Sequence, residues 1–188
     1  MKTMLLIISL VFSSLAFAQK TSPDFSYSMP AIEAGFKWNT AKIVGSTSDK
    51  QEVGFQLGIS TVLNFSSNIG LRSGMFYSER PFASEIGVST IKGKISYFEV
   101  PAQLMFKFEE YAGVYVGPSF SIKLGDEVST GSTLTDAKSF ITPLTFGAQF
   151  KFVPNLGANV FFETVPGDLA NGVSNSRAVG VNLLFTLD

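Results

Sequence analysis

Residues 98–108 alternate in character at every step. Phe98, Val100, Ala102, Leu104, Phe106 and Phe108 share one parity, and Glu99, Pro101, Gln103, Met105 and Lys107 share the other. An extended chain points successive side chains to opposite faces, so this segment has one apolar face and one mixed polar face. The same alternation recurs at residues 31–38, 52–61, 68–79, 94–108, 112–124, 139–152, 156–165 and 178–187, which predicts eight strands. Short turns near residues 64, 110 and 154 alternate with long polar loops near 45, 87, 131 and 171. Strands of about 9–14 residues are long enough to cross a bilayer when tilted. No segment has a helical period or the apolar length of a spanning helix. The pattern predicts an all-β chain, an eight-stranded antiparallel up-and-down transmembrane β-barrel with both termini at the short-turn end.

Alternation also suits a soluble barrel that carries an apolar ligand, with the faces reversed. The make-up of the polar face separates the two. It is rich in glycine (residues 35, 54, 58, 70, 74, 113, 117, 147, 157 and 180) and in Ser, Thr, Gln and Asn. Small residues suit the crowded inside of a narrow barrel. A face turned to water would carry many more charges, yet charged residues are only 15% of the chain, against roughly 25% in soluble domains. The opposite face is dominated by the chain's 19 phenylalanines and by aliphatic residues, as lipid contact requires.

The N-terminus has a basic residue at Lys2, an apolar run from Met4 to Phe12 and an Ala16-Phe17-Ala18 site, which describes a secretory signal peptide over residues 1–18. A polar lead-in at 19–30 and a barrel domain at 31–188 follow. With no cysteine there is no thiol nucleophile, disulfide or lipid-modified cysteine, and with no histidine the commonest general base and metal ligand are missing. No catalytic site, metal or cofactor is expected, and a membrane enzyme is the weakest reading. A balance of 14 basic against 15 acidic residues offers nothing to nucleic acid.

Nine charged residues have inward parity: Glu33, Lys37, Glu52, Arg72, Glu99, Lys107, Lys123, Lys151 and Glu163. In a narrow lumen they must pair, because an isolated buried charge is strongly disfavoured. The interior of an eight-stranded barrel is just filled by side chains, so a structural plug is favoured over an ion path. Pro101, Pro118 and Pro143 fall inside strands and each removes a ladder donor, which predicts a bulge or weakened seam across strands four to six. Phe106, Phe108, Tyr111, Phe150 and Phe152 near the short-turn rim, with Trp38 and Tyr77 near the long-loop rim, read as interfacial girdles.

The stretch Tyr97-Phe98-Glu99-Val100-Pro101, followed by Lys107-Phe108, resembles the strand signature of the PorT-like outer-membrane β-barrel family. Val114-Tyr115-Val116-Gly117-Pro118 and Gly70-Leu71-Arg72-Ser73-Gly74 with Tyr77 are similar to its adjoining strands, and the size is that of OmpA/OmpX-type barrels. Gly180, Leu183 and Phe185 resemble the outer-membrane assembly signal, although the chain ends Thr186-Leu187-Asp188 rather than on an aromatic residue. The resemblance implies an integral protein of the cell outer membrane and no enzymatic activity. The expected partners are outer-membrane lipid, the assembly machinery and an extracellular or envelope protein met by the loops. The chain is expected to be a monomer with a structural or surface-interaction role. A narrow transport pore, or a soluble periplasmic barrel binding an apolar ligand, is the alternative. Polar loop residues such as Ser46, Thr47, Asp49, Ser129, Thr130, Thr133, Asp136, Asn171 and Asn175 are the candidate contacts.

Overall fold

The computed structural model describes residues 26–27, 30–46, 48–86, 89–108, 111–129 and 136–187. The expected signal peptide at 1–18, most of the lead-in, and loop residues Thr47, Thr130 and Thr133 lie outside the described residues.

Eight long strands form the wall: β1 (Ala31–Ile43), β2 (Glu52–Asn64), β3 (Ile69–Ile86), β4 (Ser89–Lys107), β5 (Ala112–Val128), β6 (Leu144–Val153), β7 (Leu156–Thr164) and β8 (Val173–Thr186). Each pairs antiparallel with the next, and β8 pairs with β1 from Ala31↔Thr186 up to Ile43↔Val173, which closes the ring. Closure gives every strand two neighbours and removes the free edge that hydrocarbon would not tolerate. Short extra strands decorate the long-loop end. Ser48–Lys50 pairs with β3, Phe140–Ile141 with β5 and Asp168–Ala170 with β8. At the other end Ser26–Tyr27 pairs with Leu63 and Asn64.

The two faces sort as the alternation predicts. Phe36, Leu57, Phe106, Phe120, Phe146, Phe162 and Leu183 are exposed around the outside, whereas Glu33, Gln56, Arg72, Glu99, Asn159 and Asn182 are buried inside. The girdle residues are outward too, from Phe108, Tyr111 and Phe152 at the short-turn rim to Trp38 and Tyr77 nearer the other. An apolar exterior and a polar interior are the sense of a membrane barrel, opposite to that of a lipocalin-type carrier.

The expected long loop at 80–93 is a correction. β3 and β4 run on through it as one tall hairpin, paired from Glu79↔Ser96 to Ile86↔Ser89. Pro81 reads as a strand breaker, but it occupies a gap on its other side. The β2–β3 ladder stops at Gln56↔Ser78, and β3 gains its next partner only at Ala83↔Lys50. A missing N–H costs little where no ladder partner waits. The Glu79 carboxylate fills part of the gap by accepting the Phe55 N–H at 3.4 Å.

The sixth strand also departs from its expected span. It begins at Leu144 rather than 139, broken from Phe140–Ile141 by Thr142 and Pro143. The paired register skips Gly74 and Met75 opposite Val100 and Pro101, and skips Ala102 and Gln103 opposite Gly117 and Pro118. Side chains and loops take over some of the bonding: Ser73 Oγ donates to the Pro101 carbonyl at 2.8 Å, and the Ser119 N–H donates to the Pro143 carbonyl at 2.8 Å. The three prolines thus line one loosened seam.

The lumen glycines report how tightly the wall curves. A Cβ built on Gly35 would collide with the Val181 carbonyl of the neighbouring strand, whereas one on Gly125 would meet nothing. Backbone cannot give way as a side-chain tip can. Gly35→Ala should therefore strain the closing β1–β8 seam and cost about 2 kcal/mol, the usual scale of overpacking. Gly125→Ala should leave the barrel unchanged. Denaturant midpoints in detergent, read with the heat-dependent shift on SDS gels, check both.

Candidate functional site in the barrel lumen

Parity aims six charged side chains into the middle of the lumen: Glu33 and Lys37 from β1, Arg72 and Arg80 from β3, Glu99 from β4 and Glu163 from β7. All six are buried, and three carboxylates meet three cations, so the set is neutral. It forms two linked groups. In the first, Arg72 Nη2 donates to Glu33 Oε1 at 2.5 Å and Arg72 Nη1 donates to Gln103 Oε1 at 2.7 Å. Glu33 also accepts from Ser60 Oγ, from Asn159 Nδ2 at 2.6 Å and from Asn182 Nδ2 at 3.3 Å. The Arg72 guanidinium lies 4.7 Å from the Tyr115 ring centroid and 5.7 Å from that of Phe76, and Tyr115 Oη donates to Asn159 Oδ1 at 2.7 Å.

In the second group Arg80 joins two carboxylates, with Nη1 on Glu163 Oε1 at 2.7 Å and Nη2 on Glu99 Oε1 at 2.6 Å. Lys37 Nζ completes it at 3.4 Å from Glu163 and 4.0 Å from Glu99, and it also donates to Ser78 Oγ. Arginine's planar fork suits this bridging of two carboxylates. Every charged group of the network meets an opposite charge, while the Nε–H groups of Arg72 and Arg80 and Asn182 Oδ1 stay without a hydrogen-bond partner among the described residues. That pairing is the condition under which buried charges persist, since each alone would face a desolvation cost of several kcal/mol.

Apolar layers bound the charges along the strands. Toward the long-loop end, Phe82 follows Arg80, Tyr97 lies beyond Glu99, Val165 beyond Glu163 and Ala41 beyond Lys37. These join Ile95, Ile141, Leu169, Ala170 and Val173 in one buried cluster. Leu169 and Ala170 belong to the β7–β8 connection, which folds over the mouth and takes the Lys138 N–H on the Leu169 carbonyl at 2.8 Å. Toward the other end Val62, Met105, Tyr115 and Phe161 make a second cluster. A cavity of about 20 Å³ lies between them, bordered by Gln56, Arg72, Glu99 and Tyr115 among others. That is room for roughly one water molecule.

Of the nine lumen residues expected from parity, five come together: Glu33, Lys37, Arg72, Glu99 and Glu163. The other four are corrected to the rims. Glu52 pairs with Lys92 at 2.8 Å, and Lys123 with Asp126 at 2.9 Å, both at the long-loop end. Lys107 donates to Asn64 Oδ1 at 2.7 Å at the short-turn end. Lys151, half-buried beside the β6–β7 turn, makes none of the network's contacts. Parity gives the face of a strand but not the depth, and these four lie near strand ends. Arg80 was missed because residues 80–93 read as a long loop, although Phe76, Ser78, Arg80 and Phe82 continue the inward parity unbroken. Gly180 has a packing reason of its own, since a Cβ there would collide with the Phe161 ring. Leu183 and Phe185 are exposed on the outer face.

The family model of the outer membrane protein beta-barrel domain matches residues 17–175. The chain belongs to that family. Its place is therefore the outer membrane, with its apolar belt against lipid. A search of curated proteins gave no match. Among solved structures, Neisserial surface protein A is similar with a TM-score of 0.59 at 15% identity, over 86% of this chain and 99% of that one. Ail of Yersinia pestis has a TM-score of 0.48 at 19% identity, over 84% of this chain and 99% of its own. At such identity the likeness to the Neisserial protein is one of fold.

The barrel's two kinds of ion pair should separate by mutation. Arg80→Ala leaves Glu99 and Glu163 buried without their shared cation and should cost about 3–5 kcal/mol. Lys50→Ala removes an exposed pair with Glu85 and should cost about 1 kcal/mol or less. Equilibrium unfolding in detergent micelles measures both.

Proposed function

We propose that this outer-membrane barrel is a rigid, plugged frame for surface contacts, made by its long-loop end, rather than a conduit or an enzyme. The observation that carries the reading is the filled lumen. A neutral network of six paired charges lies between two apolar layers, and the cavity of about 20 Å³ among them is room for about one water molecule, not a hydrated ion. Selective conduction needs charges that exchange partners with a passing ion. Here they are engaged with one another, and the connection carrying Leu169 and Ala170 covers the mouth.

The long-loop end is where the chain offers variety. The β3–β4 hairpin and the upper part of β5 carry Lys92, Lys94, Glu79 and Glu127 in ion pairs, and Ser46, Asp49, Asp136, Asn171 and Asn175 lie at the same end of the barrel. An extracellular or envelope protein is the partner such a mixed-charge surface suits. The finer reading includes the PorT-like branch of the family, export by the N-terminal signal, insertion through the Gly180, Leu183 and Phe185 signal by the assembly machinery, and a monomer in the membrane. The missing histidines and cysteines support a non-enzymatic role.

Two experiments test the proposal. Purified protein in planar bilayers should give no unitary conductance steps, and steps would overturn the plugged frame. A photo-crosslinking residue at Asp49 or Asn171 should give discrete adducts on intact cells, whereas one at Ser121, buried in the lumen, should give none. Loss of adducts at both loop positions would remove the case for surface contacts.

A further inference from the structure

Two cations with outward parity lie close together, without a carboxylate partner among the described residues, at the closing seam. Lys50, Lys92, Lys94 and Lys123 each have a carboxylate partner at the long-loop end. Lys42 of β1 and Arg177 of β8 have none among the described residues, and both are exposed. Their parity is that of Phe36, Trp38, Val179 and Val181, so they lie on the lipid-facing side. Trp38 pairs with Val179 at the top of the apolar belt. One step higher Thr40 pairs with Arg177, and the next outward residue of β1 is Lys42, opposite Ser174. Lys42 and Arg177 are thus diagonal neighbours across the closing seam, with Cβ atoms about 7 Å apart. The register slips between Ser174 and Arg177, where Asn175 has a φ of 50°, and Thr40 Oγ1 donates to the Arg177 carbonyl at 3.5 Å. Asp168 pairs with Ser174 from the far side of β8, one strand further from Lys42.

We infer that Trp38, Lys42 and Arg177 form a binding site for the phosphate of an anionic membrane lipid in the outer leaflet. The chemistry is complementary at each level. Acyl chains lie along Phe36 and Val181, the glycerol or sugar backbone lies beside the Trp38 ring at the interface, and the phosphate falls between an ammonium and a guanidinium. Indole rings favour that interfacial level. Two cations with long apolar stems reach the headgroup plane from just above the hydrocarbon. Basic residues near an anionic surface attract anionic lipid, so two unneutralised ones should select it over a zwitterionic lipid about five- to tenfold.

Trp38 is the chain's single tryptophan, so the site has its own reporter. The full protein is reconstituted in phosphatidylcholine vesicles containing phosphatidylglycerol, with the bromine quencher on one lipid or the other. Brominated phosphatidylglycerol should quench Trp38 as if enriched about five- to tenfold over its bulk fraction, and high salt should reduce the preference. The K42Q/R177Q protein should lose the preference while keeping its heat-dependent gel shift. The charge-keeping K42R/R177K protein should retain it, as should K151Q, altered at the opposite rim. Equal quenching by both lipids in the native protein, or a preference that survives K42Q/R177Q, overturns the site. Added inorganic phosphate should leave the quenching unchanged; abolition of the preference by millimolar phosphate would overturn the lipid as ligand in favour of the free anion.

Discussion

The constraint on which the rest depends is backbone hydrogen bonding where water is absent. A strand in hydrocarbon must find partners on both edges, and the only such arrangement for strands is a ring. Pairing of β8 with β1, from Thr186↔Ala31 upward, supplies the last partners. Eight strands make a ring so narrow that its inside is filled by side chains. The other features follow from that narrowness. Glycine stands where a Cβ would strike the next strand, as at Gly35, and polar side chains fill the rest. Where the ladder lapses, at the three prolines and beside Pro81, other groups step in, such as Ser73 on the Pro101 carbonyl and Glu79 on the Phe55 N–H.

The lumen network is best understood as a solution to crowding. Six charges that sum to zero, bridged by arginine forks and side-chain amides, occupy space and satisfy one another. Apolar layers on either side keep the pairs dry and hold them in one arrangement. The interior therefore resembles a protein core with a polar middle layer, and the barrel's adaptable chemistry is displaced to its rims.

The fold was largely legible because period-two alternation is forced by the two solvents a barrel wall faces. Phe146, Phe162 and Leu183 meet lipid, Asn159 and Asn182 meet the lumen, and their parity says so directly. Depth was not legible, because no periodic signal distinguishes mid-strand Glu99 from rim-level Lys107 on the same strand. The tall β3–β4 hairpin was hidden by polar residues outside the membrane, where alternation no longer has to separate lipid from lumen. The apolar cap was hidden for the same reason: Leu169 and Ala170 lie in the segment 166–177, whose composition reads as loop.

The unequal heights of the strands have a consequence for how the molecule meets its surroundings. β3 and β4 contain 18 and 19 residues, whereas β6 and β7 contain 10 and 9. At about 3.3 Å per residue and a tilt near 40°, the taller pair rises ~45–50 Å against an apolar belt of ~25 Å, and so extends ~20 Å beyond the hydrocarbon. The shorter pair ends close to the surface. The outer rim is thus a slope, and an approaching macromolecule touches the β3–β4 crest before anything else. Whatever lands there is held off the bilayer on one side and admitted toward it on the other, so the barrel imposes a tilt on its visitor and a preferred direction in the plane of the membrane.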